Sequence, residues 1–141
     1  MRICGVELAG NDAVICMLYL ENQQFDLPDC RARKLTLKKD HTREDLREFQ
    51  FTFAKLMSDY KITKVAIRER MTKGKFAGGA ISFKLESAIQ LITDLDVDVL
   101  SPTQIKSLLK EHPLPIPFEN TGLKAFQKDA FTVAYATHML K

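Results

Sequence analysis

The stretch KVAIRERMTKGKFAGGAISFKLESAIQ, residues 64–90, decides the fold class of this chain. It begins with an apolar run, Val65, Ala66 and Ile67, which predicts a strand. A basic, glycine-containing turn follows, and then apolar residues recur at helical spacing. In open α/β sheets, ligands bind outside the carboxyl ends of the strands, where helix N-termini point outward. The stretch therefore predicts an α/β fold with a functional site at the end of this strand.

Length and composition limit the remaining choices. The chain has 141 residues, of which 45% are hydrophobic, so we expect one domain over residues 1–141. The net charge of +3 does not by itself indicate a nucleic-acid-binding protein. Three cysteines without a C-x-x-C pair predict reduced thiols and no zinc site. No apolar run approaches the ~18 residues of a membrane span, so we expect a cytoplasmic protein that does not contact a membrane.

The hydrophobic pattern outside residues 64–90 completes the order of elements. Apolar or β-branched runs predict five strands, and helical periodicity with capping signals predicts four helices. The strands are expected at residues 2–8, 13–20, 33–37, 64–69 and 97–100, and the helices at residues 42–60, 82–95, 101–111 and 124–140. The order βββαβαβα(α) predicts a mixed five-stranded sheet flanked by helices.

Three acidic residues occupy positions where a core would favour apolar side chains. Glu7 shares a strand face with Ile3, and Glu69 shares a strand face with Ile67. Asp129 interrupts the apolar stripe of the last helix and is expected to point toward the sheet. Each acid has a simpler explanation, an ion pair or a hydrogen bond with a neighbouring side chain or loop amide. Together, however, they predict a functional cluster, because buried carboxylates need a compensating cation or hydrogen-bond network.

A divalent metal ion would compensate these carboxylates if they converge. Hard oxygen ligands suit Mg²⁺ or Mn²⁺, and two such ions about 3.5 to 4 Å apart support in-line hydrolysis of phosphodiester bonds. Convergence requires the first and fourth predicted strands to be parallel neighbours, so that Glu7 and Glu69 emerge at the same end of the sheet.

Two motifs resemble RuvC-type Holliday junction resolvases of the ribonuclease H-like superfamily. GVELAG at residues 5–10 is similar to their first-strand motif, and KDAFTVAYATH at residues 128–138 is similar to their closing-helix motif. The chain also resembles an uncharacterised bacterial domain-of-unknown-function family of about this length. The resolvase resemblance implies a ribonuclease H-like fold in which Glu7, Glu69 and Asp129 bind metal and catalyse cleavage of structured or branched nucleic acid.

The sequence departs from the resolvase pattern at three positions. The first acid is Glu7 where the resolvases usually have aspartate, and Phe126 stands where a further acid is often found. In the resolvases the fourth-strand acid directly follows the apolar run, where this chain has Arg68. Glu69 comes one residue later, so the sheet face on which it lies decides whether it can be the second metal ligand.

Basic residues surround the glycine-containing turn and are expected to contact a phosphate backbone beside the carboxylates. The alternative is a solvated basic loop without a ligand. The expected nucleic-acid contacts are Arg68, Arg70, Lys73, Lys75, Phe76 and Lys84, with Phe76 either stacking on a base or packing under the loop. Glu86 is the reserve acid should Glu69 point away. The turn lacks the Walker A pattern, which argues against nucleotide hydrolysis of that type.

Three functions remain open from the sequence. The first is a metal-dependent nuclease. A homodimer would suit it if its substrates are two-fold symmetric, as those of the resolvases are. The second is a binding module with the same fold and a degenerate site, which holds nucleic acid or a protein without cleaving it. The third is a nucleotide-binding relative. The single short domain argues against it, because such proteins bind nucleotide between two domains.

Overall fold

The computed structural model describes residues 1–71 and 79–140. Six strands and four helices follow one another in these ranges. They are β1 Arg2–Ala9, β2 Asp12–Glu21, β3 Gln24–Asp26, β4 Lys34–Thr36, α1 Arg43–Asp59, β5 Lys64–Arg68, α2 Ala80–Gln90, β6 Asp96–Leu100, α3 Pro102–Glu111 and α4 Lys128–His138. None of these helices has both the length and the apolar character needed to span a membrane.

The strands form one mixed sheet in the order β3-β2-β1-β5-β6, with β4 paired to β2. Strands β1, β5 and β6 are parallel neighbours, whereas β2 runs antiparallel to β1. The expected α/β class is therefore confirmed, and the parallel pairing of β1 with β5 meets the condition for Glu7 to lie near the end of β5. The expected number of five strands was wrong, because β3 lies in residues assigned to a loop. Asn22 and Gln23 both adopt positive φ, 53° and 62°, and so close a tight hairpin without glycine.

The helix boundaries differ from the expected ones by more than two residues at two places. Helix α2 ends at Gln90 and not at residue 95, and Asp94 beyond it has a φ of 64°, which is incompatible with a continuing helix. The closing helix begins at Lys128, after a 3-10 turn at Ala125–Gln127. The Gln127 side chain donates from Nε2 to the Ile15 carbonyl oxygen at 2.9 Å, which anchors this turn on β2.

The sheet separates two hydrophobic cores. Helices α1 and α2 cover one face, where Val65 and Ile67 of β5 pack with Phe53 of α1. Helices α3 and α4 cover the other face, where Ala66 packs with Ile3 and Val133. Alternate residues of β5 therefore face different helix layers, as the two-residue period of a strand requires.

Helix α4 lies directly on β1 at Gly5. A Cβ atom at this position would overlap the Ala130 carbonyl oxygen and would lie 2.9 Å from the Ala134 Cβ. Only glycine permits such a close approach of helix backbone to strand backbone. The contact fixes the first turn of α4, which contains Asp129, above the end of β1 that contains Glu7.

Candidate carboxylate and arginine site

Glu7 and Asp129 meet on the α4 face of the sheet. Both residues are partly buried, Glu7 near the end of β1 and Asp129 in the first turn of α4. Burial raises the pKa of Glu7 to about 7, and the hydrogen bond and negative charge of Asp129 contribute to the rise. The positive charges of Arg68 and Arg70 oppose it. The site therefore contains two neighbouring carboxyl groups, of which Glu7 has a raised pKa, beside two guanidinium groups.

Arg68 is the β5 residue that lies beside Glu7. In the parallel register, Gly5 is opposite Ala66 and Val6 is opposite Ile67, so one further residue sets Glu7 beside Arg68. Ala66 packs in the core under α4, and Arg68, two residues later, projects to the same face. None of the ion pairs among the described residues includes Glu7. The two arginines therefore lower its pKa by long-range electrostatic attraction and not by direct contact.

Glu69 lies with Glu86, on the side of the sheet covered by α1 and α2. Its backbone N–H donates to the Leu100 carbonyl oxygen at 2.8 Å, which extends the pairing of β5 with β6 by one residue. Its side chain is exposed. Burial raises the pKa of Glu86 on α2, and the negative charge of Glu69 adds to the effect. The two carboxylates are therefore neighbours, and Glu86 is not close to the Glu7 pair.

The donor set does not fit a two-metal centre. Among residues 1–71 and 79–140, no group of three or more histidine, cysteine, aspartate or glutamate side chains is arranged to hold a metal ion. Glu7 and Asp129 come together, whereas alternation along β5 directs Glu69 away from them. The positive charges of Arg68 and Arg70 also oppose the binding of a second cation beside the carboxylate pair. The catalytic and metal-binding roles of Glu7, Glu69 and Asp129 stay predictions.

The expected nucleic-acid contacts fall into three groups. Arg68 and Arg70 lie at the carboxylate pair, and the buried Nε of Arg70 has no hydrogen-bond partner among the described residues. Lys84 lies on α2, with its Nζ 3.0 Å from the His41 Nε2, and so belongs to the other side of the sheet. Lys73, Lys75 and Phe76 lie outside the described residues.

The sequence predicted convergence of Glu7, Glu69 and Asp129 with Arg68 as a phosphate contact beside them, and in the structure Arg68, not Glu69, is the β5 side chain next to Glu7 and Asp129. The signal was present, because Arg68 is two residues after Ala66 and Ala66 must face the helix that crosses Gly5. Phe126, at the position of the further resolvase acid, is 46% exposed and stacks under Lys34, whose Nζ is 5.5 Å from the ring centroid.

The comparisons with known proteins agree on family and fold. The family described as "Protein of unknown function (DUF3010)" matches residues 1–137. No curated protein sequence matches the chain. Among solved structures, Thermus thermophilus RuvC is similar at 14% identity and a TM-score of 0.76, covering 99% of this chain and 94% of that one.

Two further solved structures, one of them RuvC with its substrate, share the fold. T. thermophilus RuvC in complex with a Holliday junction substrate is 10% identical, with a TM-score of 0.70 over 99% of this chain and 93% of that one. The yeast mitochondrial resolvase Ydc2 is 11% identical, with a TM-score of 0.56 over 97% of this chain and 78% of that one. These similarities show that the fold is RuvC-like and ribonuclease H-like.

Proposed function

The chain belongs to the DUF3010 family. We propose that it binds structured or branched nucleic acid and does not cleave it, because the residues that the structure describes do not form a two-metal centre. One observation carries the proposal. Arg68 lies beside Glu7 and Asp129, at the position directly after the apolar run of β5, where the resolvase pattern that this chain resembles has an acid. This placement supports binding without two-metal cleavage on a ribonuclease H-like fold.

The chemistry of Arg68 supports this choice. A guanidinium group repels a divalent cation and forms paired hydrogen bonds with phosphate oxygens. Together with Arg70, it gives the site a net formal charge of zero when both carboxyl groups are ionised, and a positive charge when the pair retains a proton. A phosphate group can approach such a surface, whereas three converging carboxylates without metal would repel it.

Two further observations support a nucleic-acid ligand. The Arg70 Nε, which has no partner among the described residues, is a donor that a phosphate oxygen could satisfy. A solved structure of the same fold, T. thermophilus RuvC, contains a Holliday junction substrate. Binding of a four-way junction would be favoured by a homodimer, because both have two-fold symmetry, and sedimentation of the free protein measures that state.

Fluorescence anisotropy tests the proposal with four labelled DNA or RNA substrates: a four-way junction, a duplex, a single strand and an RNA–DNA hybrid. We expect the junction to bind in EDTA, since no metal ion is required. Arg68→Gln should weaken binding and lower the slope of log affinity against log salt concentration by about one. Lys106→Gln, an exposed charge change on α3, is the matched control. Absence of binding to every substrate would refute the proposal.

The carboxylate pair favours a second candidate, a metal-dependent nuclease with one ion. Glu7 and Asp129 do meet, and two carboxylates with substrate phosphates are a usual ligand set for Mg²⁺. The ion would supply charge stabilisation for phosphodiester hydrolysis. Calorimetric titration with Mn²⁺ separates the candidates: a single site that Asp129→Asn abolishes supports the nuclease, and no detectable site opposes it.

A further inference from the structure

A groove runs between α1 and α2, on the sheet face opposite the carboxylate pair. Its volume is about 700 Å³. Arg43, Leu46 and Arg47 line it from α1. Phe83 and Lys84 of α2, with Leu91 directly after that helix, line the other side. The Gln50 side chain closes the floor by donating from Nε2 to the Ala88 carbonyl oxygen at 2.8 Å.

Apart from Gln50 and Ser87, the floor of the α1–α2 groove is lined by apolar side chains, and it is open to solvent. Leu91 is 75% exposed, although most leucines of this chain are buried in the two cores. Leu46 and Phe83 are partly buried and contribute further apolar surface. The residues of α2 and its C-cap that line the groove span Ala80 to Leu91, which is about 16 Å of helix, or about three turns. A floor of this length matches a docked helix of similar length.

The rim of the groove is cationic. Arg43 and Arg47 lie one turn apart on α1, and Lys84 lies opposite on α2. None of the described residues that line the groove is acidic. The Arg43 Nη1 lies 3.5 Å from the Glu44 Oε1, but both side chains are largely exposed. This ion pair therefore contributes little to stability and leaves the Arg43 charge accessible. Arg47 belongs to none of the ion pairs found among residues 1–71 and 79–140.

We propose that the α1–α2 groove is a docking site for an acidic amphipathic helix of a protein partner. Its apolar face would cover Leu46, Phe83 and Leu91, and its acidic face would meet the arginine and lysine rim. Charge complementarity selects this occupant: a second copy of the chain would bring the same three cations against themselves if it docked groove to groove. A nucleic-acid backbone would pair with the rim but would leave the aliphatic floor uncovered.

A labelled synthetic peptide tests the docking site. The probe is a helix of about three turns with leucine at i, i+3, i+4 and i+7 and glutamate elsewhere, and its control is a scrambled peptide of the same composition. We expect binding of the patterned peptide and at least about tenfold weaker binding of the scrambled one. Arg47→Glu and Leu91→Gln should each weaken binding by about tenfold or more, because each removes one part of the proposed contact.

Matched controls are available for both changes. Lys106→Glu makes the same charge reversal on α3, and Phe51→Gln removes another exposed apolar side chain, 69% exposed on α1 but outside the groove. Both should bind the patterned peptide like the wild type. Equal binding of the two peptides, equal loss in the control variants, or displacement of the peptide by single-stranded DNA would overturn the proposal.

Self-association is the remaining alternative. If the free protein is a dimer that Leu91→Gln converts to a monomer in sedimentation, the occupant is a second copy and the proposal is wrong. Failure here is distinguishable from failure of the proposed function, because junction binding depends on Arg68 and groove binding depends on Arg47. In a protein that already carries Arg47→Glu, Arg68→Gln should therefore weaken junction binding by the same factor as it does in the wild type.

Discussion

Glu7 binds its proton more tightly than an ordinary glutamate, and this has a consequence for stability. Its pKa is about 7 in the folded protein, chiefly because of burial, against an ordinary value of 4.5. Between these two values the folded state holds a proton that the unfolded chain has released. The free energy of unfolding therefore falls as pH rises from about 4.5 to about 7, and the contribution of Glu7 is constant above that range.

Glu7→Gln should remove this dependence. The difference in free energy of unfolding between Glu7→Gln and wild type should shift in favour of the variant by about 1 kcal/mol when the pH is raised from 5 to 8. This value allows for the solvent that screens a partly exposed side chain. Urea denaturation at the two pH values measures the difference. Glu21→Gln is the control, because a hydrogen bond from Arg2 lowers the pKa of Glu21 and places its titration below this range. A wild-type-like response of Glu7→Gln would contradict the assigned environment.

Arg68 determines what the site can bind, and a single substitution tests this. Arg68→Glu replaces the guanidinium with a third carboxylate beside Glu7 and Asp129. We expect a Mn²⁺ site at least about tenfold tighter than any site of the wild type, measured by calorimetry. Arg68→Gln removes the charge without adding a ligand, so its Mn²⁺ affinity should increase less. Mn²⁺ affinity unchanged in Arg68→Glu would show that residue 68 does not face the pair.

Individual site residues were harder to predict from the sequence than the strands and helices that contain them. Glu7 and Asp129 could be predicted because each interrupts an apolar pattern, and the structure places them together. The partner from β5 required the register of two strands that are distant in sequence. Because a shift of one residue reverses the face, Arg68 and Glu69 could not be distinguished before that register was known.

At the scale of elements, the packing of α4 on β1 holds the site together. The Gly5 backbone contacts the Ala130 backbone so closely that any side chain would overlap it. Gly5→Ala should therefore lower the free energy of unfolding by about 2 kcal/mol or more, measured by urea denaturation. Gly79→Ala is the control and should change stability by less than about 1 kcal/mol, since nothing lies within 4 Å of its added Cβ. A Gly5→Ala variant as stable as wild type would contradict the contact.

Elements with local signals were predictable from the sequence. Thr42 was expected to begin α1, and its Oγ1 accepts from the Asp45 N–H at 3.2 Å. Ser101 caps α3 in the same manner. Strand β3 was missed because the turn before it uses Asn22 and Gln23 at positive φ, and glutamine is not a turn signal.

At the scale of the whole molecule, the order of strands and helices was sufficient to predict the fold class. The crossover from β1 to β5 and from β5 to β6 follows the usual preference for parallel strands joined through helices. The similarity to T. thermophilus RuvC extends over 99% of the chain, so the fold is shared although only 14% of residues are identical. Low identity leaves function to be decided by the residues of the site.

Incubation of a labelled four-way junction with the wild-type protein and Mn²⁺ distinguishes binding without cleavage from cleavage. The same sample is resolved on a native gel, which reports binding, and on a denaturing gel, which reports cleavage. We predict a shifted complex on the native gel and intact strands on the denaturing gel. Cleavage products that disappear in Asp129→Asn, or the absence of any shifted complex, would contradict the account.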